Sequence, residues 1–314
     1  MSQCNIMDRS SKLATTVFTA CTFFGLADFS TRVASDALAQ PPITELAPPK
    51  VYPTPPNQPT AIQQPVLPPS PLTSLSPGDQ ALAMQLRLSL FYYGPSERIT
   101  DYLDIALAAY ITTARSWFGS VPPIHPTLIE VTLSEGKRSG SLIPHSGYVQ
   151  IKPLIKIDGP QSEVQNTLTH EMAHLATINA LGVSVPRWFN EGVAQHMESK
   201  PWRDEYRRRV VANLYGASQD IPLRDLFFQN PPKEGQDILF YAKSFAAIDY
   251  LVTIAPGETL DERRQHVSSF MLTVNRSGFT QTAYDDALKT FFQIDSSDEL
   301  DQLIKEWVAK TYQR

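Results

Sequence analysis

The chain has 314 residues, a length that suits one large domain or two small ones, and 42% of them are apolar, enough for a sizeable core. Only 19% are charged and the formal net charge is -5, which argues against a general nucleic-acid binder, since such a protein needs a basic face to meet phosphates. The single basic run, "RDEYRRR" (203–209), is interleaved with acids and reads as a solvated helix face.

Arg9 and Lys12 precede the apolar run "LATTVFTACTFFGLA" (13–27), which holds four threonines in fifteen residues. A bilayer-spanning helix needs about 20 strongly apolar residues. The run therefore reads as the core of a secretory signal peptide, residues 1–39, and points to a secreted, periplasmic or cell-surface protein. "ALA" at 37–39 offers small residues for cleavage before Gln40, and a cut nearer Ala27 is the alternative. Phe18 stands where a lipoprotein signal carries Leu, which speaks against a lipid on Cys21. Cys4 and Cys21 are the two cysteines and both fall in this leader, so the mature chain is expected to have no disulfide and no thiolate metal site.

Residues 40–79 carry thirteen of the 26 prolines and read as an extended, disordered linker. The folded domain is expected over 80–314. "SERITDYLDIALAAYITTARSWFG" predicts a helix, with Ile99, Leu103, Ile105, Leu107, Tyr110 and Ile111 on its apolar face. "TLIEVTL" (127–133) alternates as a strand, and "SGSLI" and "GYVQIKP" read as a hairpin or adjacent strands. Ser162, with Gln165 three residues on, reads as a helix cap; Val164, Leu168, Met172, Leu175 and Ile178 form the buried face, and Gly182 ends the helix. The rest reads as helices with a Pro-rich loop over 221–236. Strands first and helices after define an α+β domain.

The helix that Gly182 ends carries "HEMAH". Residues i and i+4 lie one above the other on a helix, so His170 and His174 point the same way and can share one metal ion. Glu171 lies one step round, where a base can take a proton from an attacking water. With no thiolates available, two imidazoles and a carboxylate are the expected zinc ligands, one ion per chain. Helix arithmetic supplies the carboxylate. From His174 to Leu181 the chain runs about 10 Å down the helix, "GVSV" turns, and Pro186 opens a second helix that climbs about 7 Å to Glu191. Glu191 thus returns to the level of the histidines. Gln195, one turn on, is a candidate to orient a zinc histidine. His145 and His196 lack metal spacing and are left out of the site.

"HEMAH" followed by "PRWFNEGVAQH" resembles the gluzincin metallopeptidases, in their peptidase MA-like branch with its Trp-x-x-Glu-Gly-x-Ala signature. The resemblance covers about residues 98–314 and implies a gluzincin-like fold with His170, His174 and Glu191 as zinc ligands, Glu171 as general base, and a peptide or protein as substrate. It also implies that "GYVQIK" is the edge strand beside the active helix. "FYAKSFAAIDYL" resembles the Tyr-x-Lys-Gly segment of zinc aminopeptidases, with Ser244 in place of the glycine, and so implies Tyr241 as donor to the oxyanion. The Gly-x-Met-Glu-Asn strand that holds a substrate amine in those enzymes is absent, which points to an endopeptidase. The rival expectation from another class is a binding module that keeps the zinc fold without catalysis.

Overall fold

The computed structural model describes residues 70–135, 139–143, 153–213, 220–229 and 236–312. The leader, the linker up to residue 69, His145 and "GYVQIK" lie outside the described residues. Ten α-helices and four strands are described: α1 (Pro77–Leu86), β1 (Leu90–Tyr93), α2 (Ile99–Phe118), β2 (Thr127–Leu133), β3 (Ser139–Ile143), β4 (Leu154–Gly159), α3 (Gln161–Leu181), α4 (Arg187–Met197), α5 (Lys200–Val211), α6 (Leu223–Phe228), α7 (Asp237–Ile254), α8 (Leu260–Arg276), α9 (Gln281–Phe292) and α10 (Ser297–Thr311). The architecture is α+β, mostly helical, with one small mixed sheet. Among the described residues no helix is long and apolar enough to cross a membrane.

The sheet order is β1-β2-β4-β3. β1, β2 and β4 run parallel, with Leu90 opposite Thr127 and Ile129 opposite Ile155; β3 pairs antiparallel with β4, Gly140 opposite Ile157. Alternation sends Ile129 and Val131 of β2, and Ile155 and Ile157 of β4, into one core. There they meet Leu107 and Ile111 of α2 and Leu168 and Met172 of α3. A second core lies among the later helices, around Trp188, Phe189, Phe240, Phe270 and Tyr284. Helix α3 belongs to both: Leu168 and Leu175 pack on the sheet side, while Leu181 enters the helical core. The histidine-bearing helix is therefore clamped from two sides.

Three expectations are corrected. The linker was expected to reach residue 79, but the fold starts by Ser70. Ser70 Oγ donates to Asp104 Oδ2 at 2.7 Å, Leu72 and Leu75 pack on the sheet core, Pro71 opens a 3-10 turn, and Pro77 opens α1 behind the cap Ser76. Proline at a first helical position forfeits no internal hydrogen bond, so these prolines start elements instead of breaking them. Helix α3 begins at Gln161, so Ser162 is inside it and no side chain caps it. The strand directly before it is β4, "LIKIDG", and among the described residues β3 is the edge strand beside α3; the expectation for "GYVQIK" falls outside those residues. Finally, the expected 221–236 loop contains α6, whose Leu223, Leu226 and Phe227 are buried. At the far end of α3, Gly182 does end the helix: its φ of 95° is a left-handed conformation that glycine adopts without a Cβ clash, and its N–H bonds Ile178 O at 2.8 Å.

Candidate metal centre

His170, His174 and Glu191 converge, as the helix arithmetic requires. His170 Nε2 and His174 Nε2 are 3.0 Å apart, and Glu191 Oε2 lies 3.6 Å from the first and 3.5 Å from the second. Four donors at zinc's usual bond length, arranged tetrahedrally, would stand about 3.4 Å apart. The triangle matches one face of that tetrahedron, so the group could hold a metal ion and leaves a position open. His174 and Glu191 are buried. Helix α4 is held in place by Trp188 and Phe189, both wholly buried; Trp188 Nε1 donates to Tyr284 Oη at 3.2 Å. Gly192 lets α4 approach α7: a Cβ there would stand 2.8 Å from Ser244 O and overlap Ile248.

The group that orients His170 is Glu198, not Gln195. Glu198 Oε1 lies 2.7 Å from His170 Nδ1, accepts from Tyr206 Oη at 3.0 Å, and its Oε2 accepts from Asn166 Nδ2 at 2.9 Å. With Nδ1–H donating to Glu198, the Nε2 lone pair faces Glu191 and His174, the arrangement a metal-binding imidazole needs. Gln195 is buried, but its Oε1 finds no partner among the described residues. The sequence did contain a signal for Glu198: it follows Glu191 by seven residues, two helical turns, and so continues the same stripe to the residue just past the end of α4.

Glu171 is buried beside the triangle and its Oε2 has no hydrogen-bond partner among the described residues. Strand β3 closes over it. A Cβ on Gly140 would overlap Glu171 Oε1 and stand 2.8 Å from Thr167 Cγ2, so only glycine leaves room for the carboxylate. Burial raises the Glu171 pKa, favouring a group that takes up a proton. Burial disfavours the charged form of His170, but the carboxylates of Glu191 and Glu198 outweigh it and push its pKa up to about 10. Burial likewise works against the Glu191 charge, yet the two histidines hold its pKa well below the usual carboxylate range. These shifts describe the protein groups alone. A cation at the triangle would replace the proton, because only neutral imidazole ligates.

Tyr241 lies half-buried on α7 and reaches this centre through Arg187, a residue the sequence reading did not single out. Arg187 Nη2 donates to Tyr241 Oη at 2.9 Å, and Arg187 Nε lies 3.4 Å from Glu191 Oε1. Burial, reinforced by the Glu191 charge and opposed by Arg187, pushes the Tyr241 pKa up to about 12. Lys243, two residues on, is buried and paired with Asp220 at 2.8 Å and Asp301 at 2.7 Å, away from the histidines. His196 is also outside the triangle, bonded to Asp249 and Arg264. No protein-family model matches the chain, and none of the curated proteins is similar to it.

Proposed function

We propose that the chain is an exported zinc-dependent peptidase of gluzincin type, acting within peptide chains. The observation that carries this reading is the pairing of a three-donor triangle, two imidazoles and a carboxylate, with a buried carboxylate, Glu171, on the helix of the two histidines, whose Oε2 has no hydrogen-bond partner among the described residues. The donor set suits zinc, which favours nitrogen and carboxylate ligands in tetrahedral array. Zinc held there supplies a Lewis acid that polarises a carbonyl and lowers the pKa of water.

The chain's own residues do the rest. Glu171 accepts a proton from the attacking water and returns it to the leaving amine, a role its raised pKa supports. Gly140 keeps the space that carboxylate needs, and Glu198 holds the His170 ring in one tautomer. The Tyr241 hydroxyl donates to the oxygen that gains negative charge as the carbonyl is attacked. The test is a peptide-library digest by the purified protein, with and without a chelator and alongside Glu171→Gln. Cleavage abolished by the chelator and by Glu171→Gln supports the reading. Zinc binding without cleavage would leave a zinc-fold binding module instead.

A further inference from the structure

Nothing in zinc chemistry calls for an arginine at position 187, and its location carries a cost. Arg187 is the first residue of α4, and no acidic residue accompanies it in that first turn. A cation at a helix N-terminus opposes the helix dipole, so this position is poorly chosen for helix stability. Its contacts offer another reason. Nε faces Glu191 Oε1, one turn along the same helix, and Nη2 bonds Tyr241 Oη on α7. The guanidinium carbon lies 5.8 Å from the ring centres of both Phe240 and Tyr241, and the side chain is only 16% exposed. The fork is held in one place with little water to compete.

A phenol close to a buried carboxylate has an obvious partner for its single O–H hydrogen, and the Glu191 charge is felt at Tyr241. A hydroxyl bonded to Glu191 would be lost to the substrate and would compete for the oxygens of a metal ligand. Arg187 stands between the two. It satisfies Glu191 Oε1, leaving Oε2 for the triangle, and it fills an acceptor site on the Tyr241 oxygen, leaving the O–H hydrogen to donate elsewhere. Its positive charge also makes that hydrogen a stronger donor. We propose that Arg187 is a positioning residue that separates Tyr241 from Glu191 and so reserves the tyrosine hydroxyl for the substrate. The effect on turnover rests on the peptidase reading; the separation itself does not.

The test is a double-mutant cycle of Arg187→Met and Tyr241→Phe in the full chain, joined to a crystal structure of Arg187→Met. Arg187→Met should lower kcat about tenfold with KM little changed, yet cost less than about twofold when made in Tyr241→Phe protein, because coupled residues are not additive. Arg187→Lys, with a point charge in place of the fork, should recover only part of the loss. Zinc content under saturating metal should stay at that of the parent. In the Arg187→Met crystal, Tyr241 Oη should lie within hydrogen-bonding distance of Glu191. Independent, multiplying effects on kcat would overturn the proposal, as would loss of zinc from Arg187→Met or a Tyr241 that stays clear of Glu191 in the crystal. If the parent cleaves no peptide, the peptidase reading fails by itself and the crystal decides the positioning claim.

Discussion

His196 lies five residues beyond Glu191 on α4 and is as buried as His174, at 6% against 7% exposure. The two histidines nevertheless sit in opposite kinds of surroundings. His196 Nε2 lies 3.3 Å from Asp249 Oδ1, and its Nδ1 accepts from Arg264 Nη2 at 3.1 Å. Asp249 in turn pairs with Arg207 at 3.1 Å and accepts from Tyr312 Oη at 2.7 Å. Burial lowers the His196 pKa, keeping the ring neutral, and Asp249 is held at about 2 despite its burial, by its bond to His196 and the nearby cations. This cluster brings its own positive charge and closes on itself. Around His170 and His174 three carboxylates gather, Glu171, Glu191 and Glu198; Arg187 lies beside Glu191, and the carboxylates favour a positive charge at His170. Buried negative charge is costly unless positive charge is paired with it. A proton on His170 or a bound cation can offset it, and the comparison teaches that two equally buried histidines differ in whether their donors converge on one point, as in the triangle, or are taken up by fixed partners, as at His196.

That contrast is easiest to break at the triangle. His170→Ala or Glu191→Ala removes one of three donors, so zinc per chain should fall to near zero on elemental analysis, the largest effect expected. Glu171→Gln keeps every donor and nearly the same shape. It should retain its zinc and lose about 10²-fold or more in turnover, as when a general base is removed. A Glu171→Gln protein without zinc would mean that Glu171 is itself a ligand. Glu198→Gln weakens the hold on His170, and competition with a chelator should show zinc affinity down by about 10- to 100-fold. Gly140→Ala drives a methyl group into Glu171, and turnover should fall about tenfold while zinc stays, the size of a small displacement of a reacting group. Arg264→Leu sharpens the comparison from the other side. It strips His196 and Ser116 of a buried donor, at a cost of about 3 kcal/mol in unfolding experiments, and should leave zinc stoichiometry unaltered. A zinc-deficient Arg264→Leu protein that is still folded would show that the two clusters are one.

The parts of this site legible in the sequence were those fixed by helix geometry. His170 and His174 are one turn apart, and a second helix opened by Pro186 returns Glu191 to their level; both follow from rise per residue alone. The same arithmetic, carried through α4 and one residue past its end, places Arg187, Glu191, Gln195 and Glu198 on one stripe. It could not choose among them. Glu198 is selected because Asn166 and Tyr206, from α3 and α5, converge on it, and such convergence is tertiary. Tyr241 came from a resemblance, and its link to the centre through Arg187 could not be seen in either segment alone. The closeness of Gly140 to Glu171 was equally hidden, since β3 reaches α3 only after pairing with β4. In the fold, α2 and β2 were plain from their periods. Strand β4 was masked by its short length and by the turn-like "DGP" that ends it, and α6 by the prolines around it.

The most direct measurement is the zinc content of the purified full-length protein beside His170→Ala, Glu191→Ala and Glu171→Gln, read by elemental analysis. The account predicts one zinc per chain in the parent and in Glu171→Gln, and close to none in the two ligand variants. A parent that binds no zinc, or ligand variants as fully loaded as the parent, would contradict it.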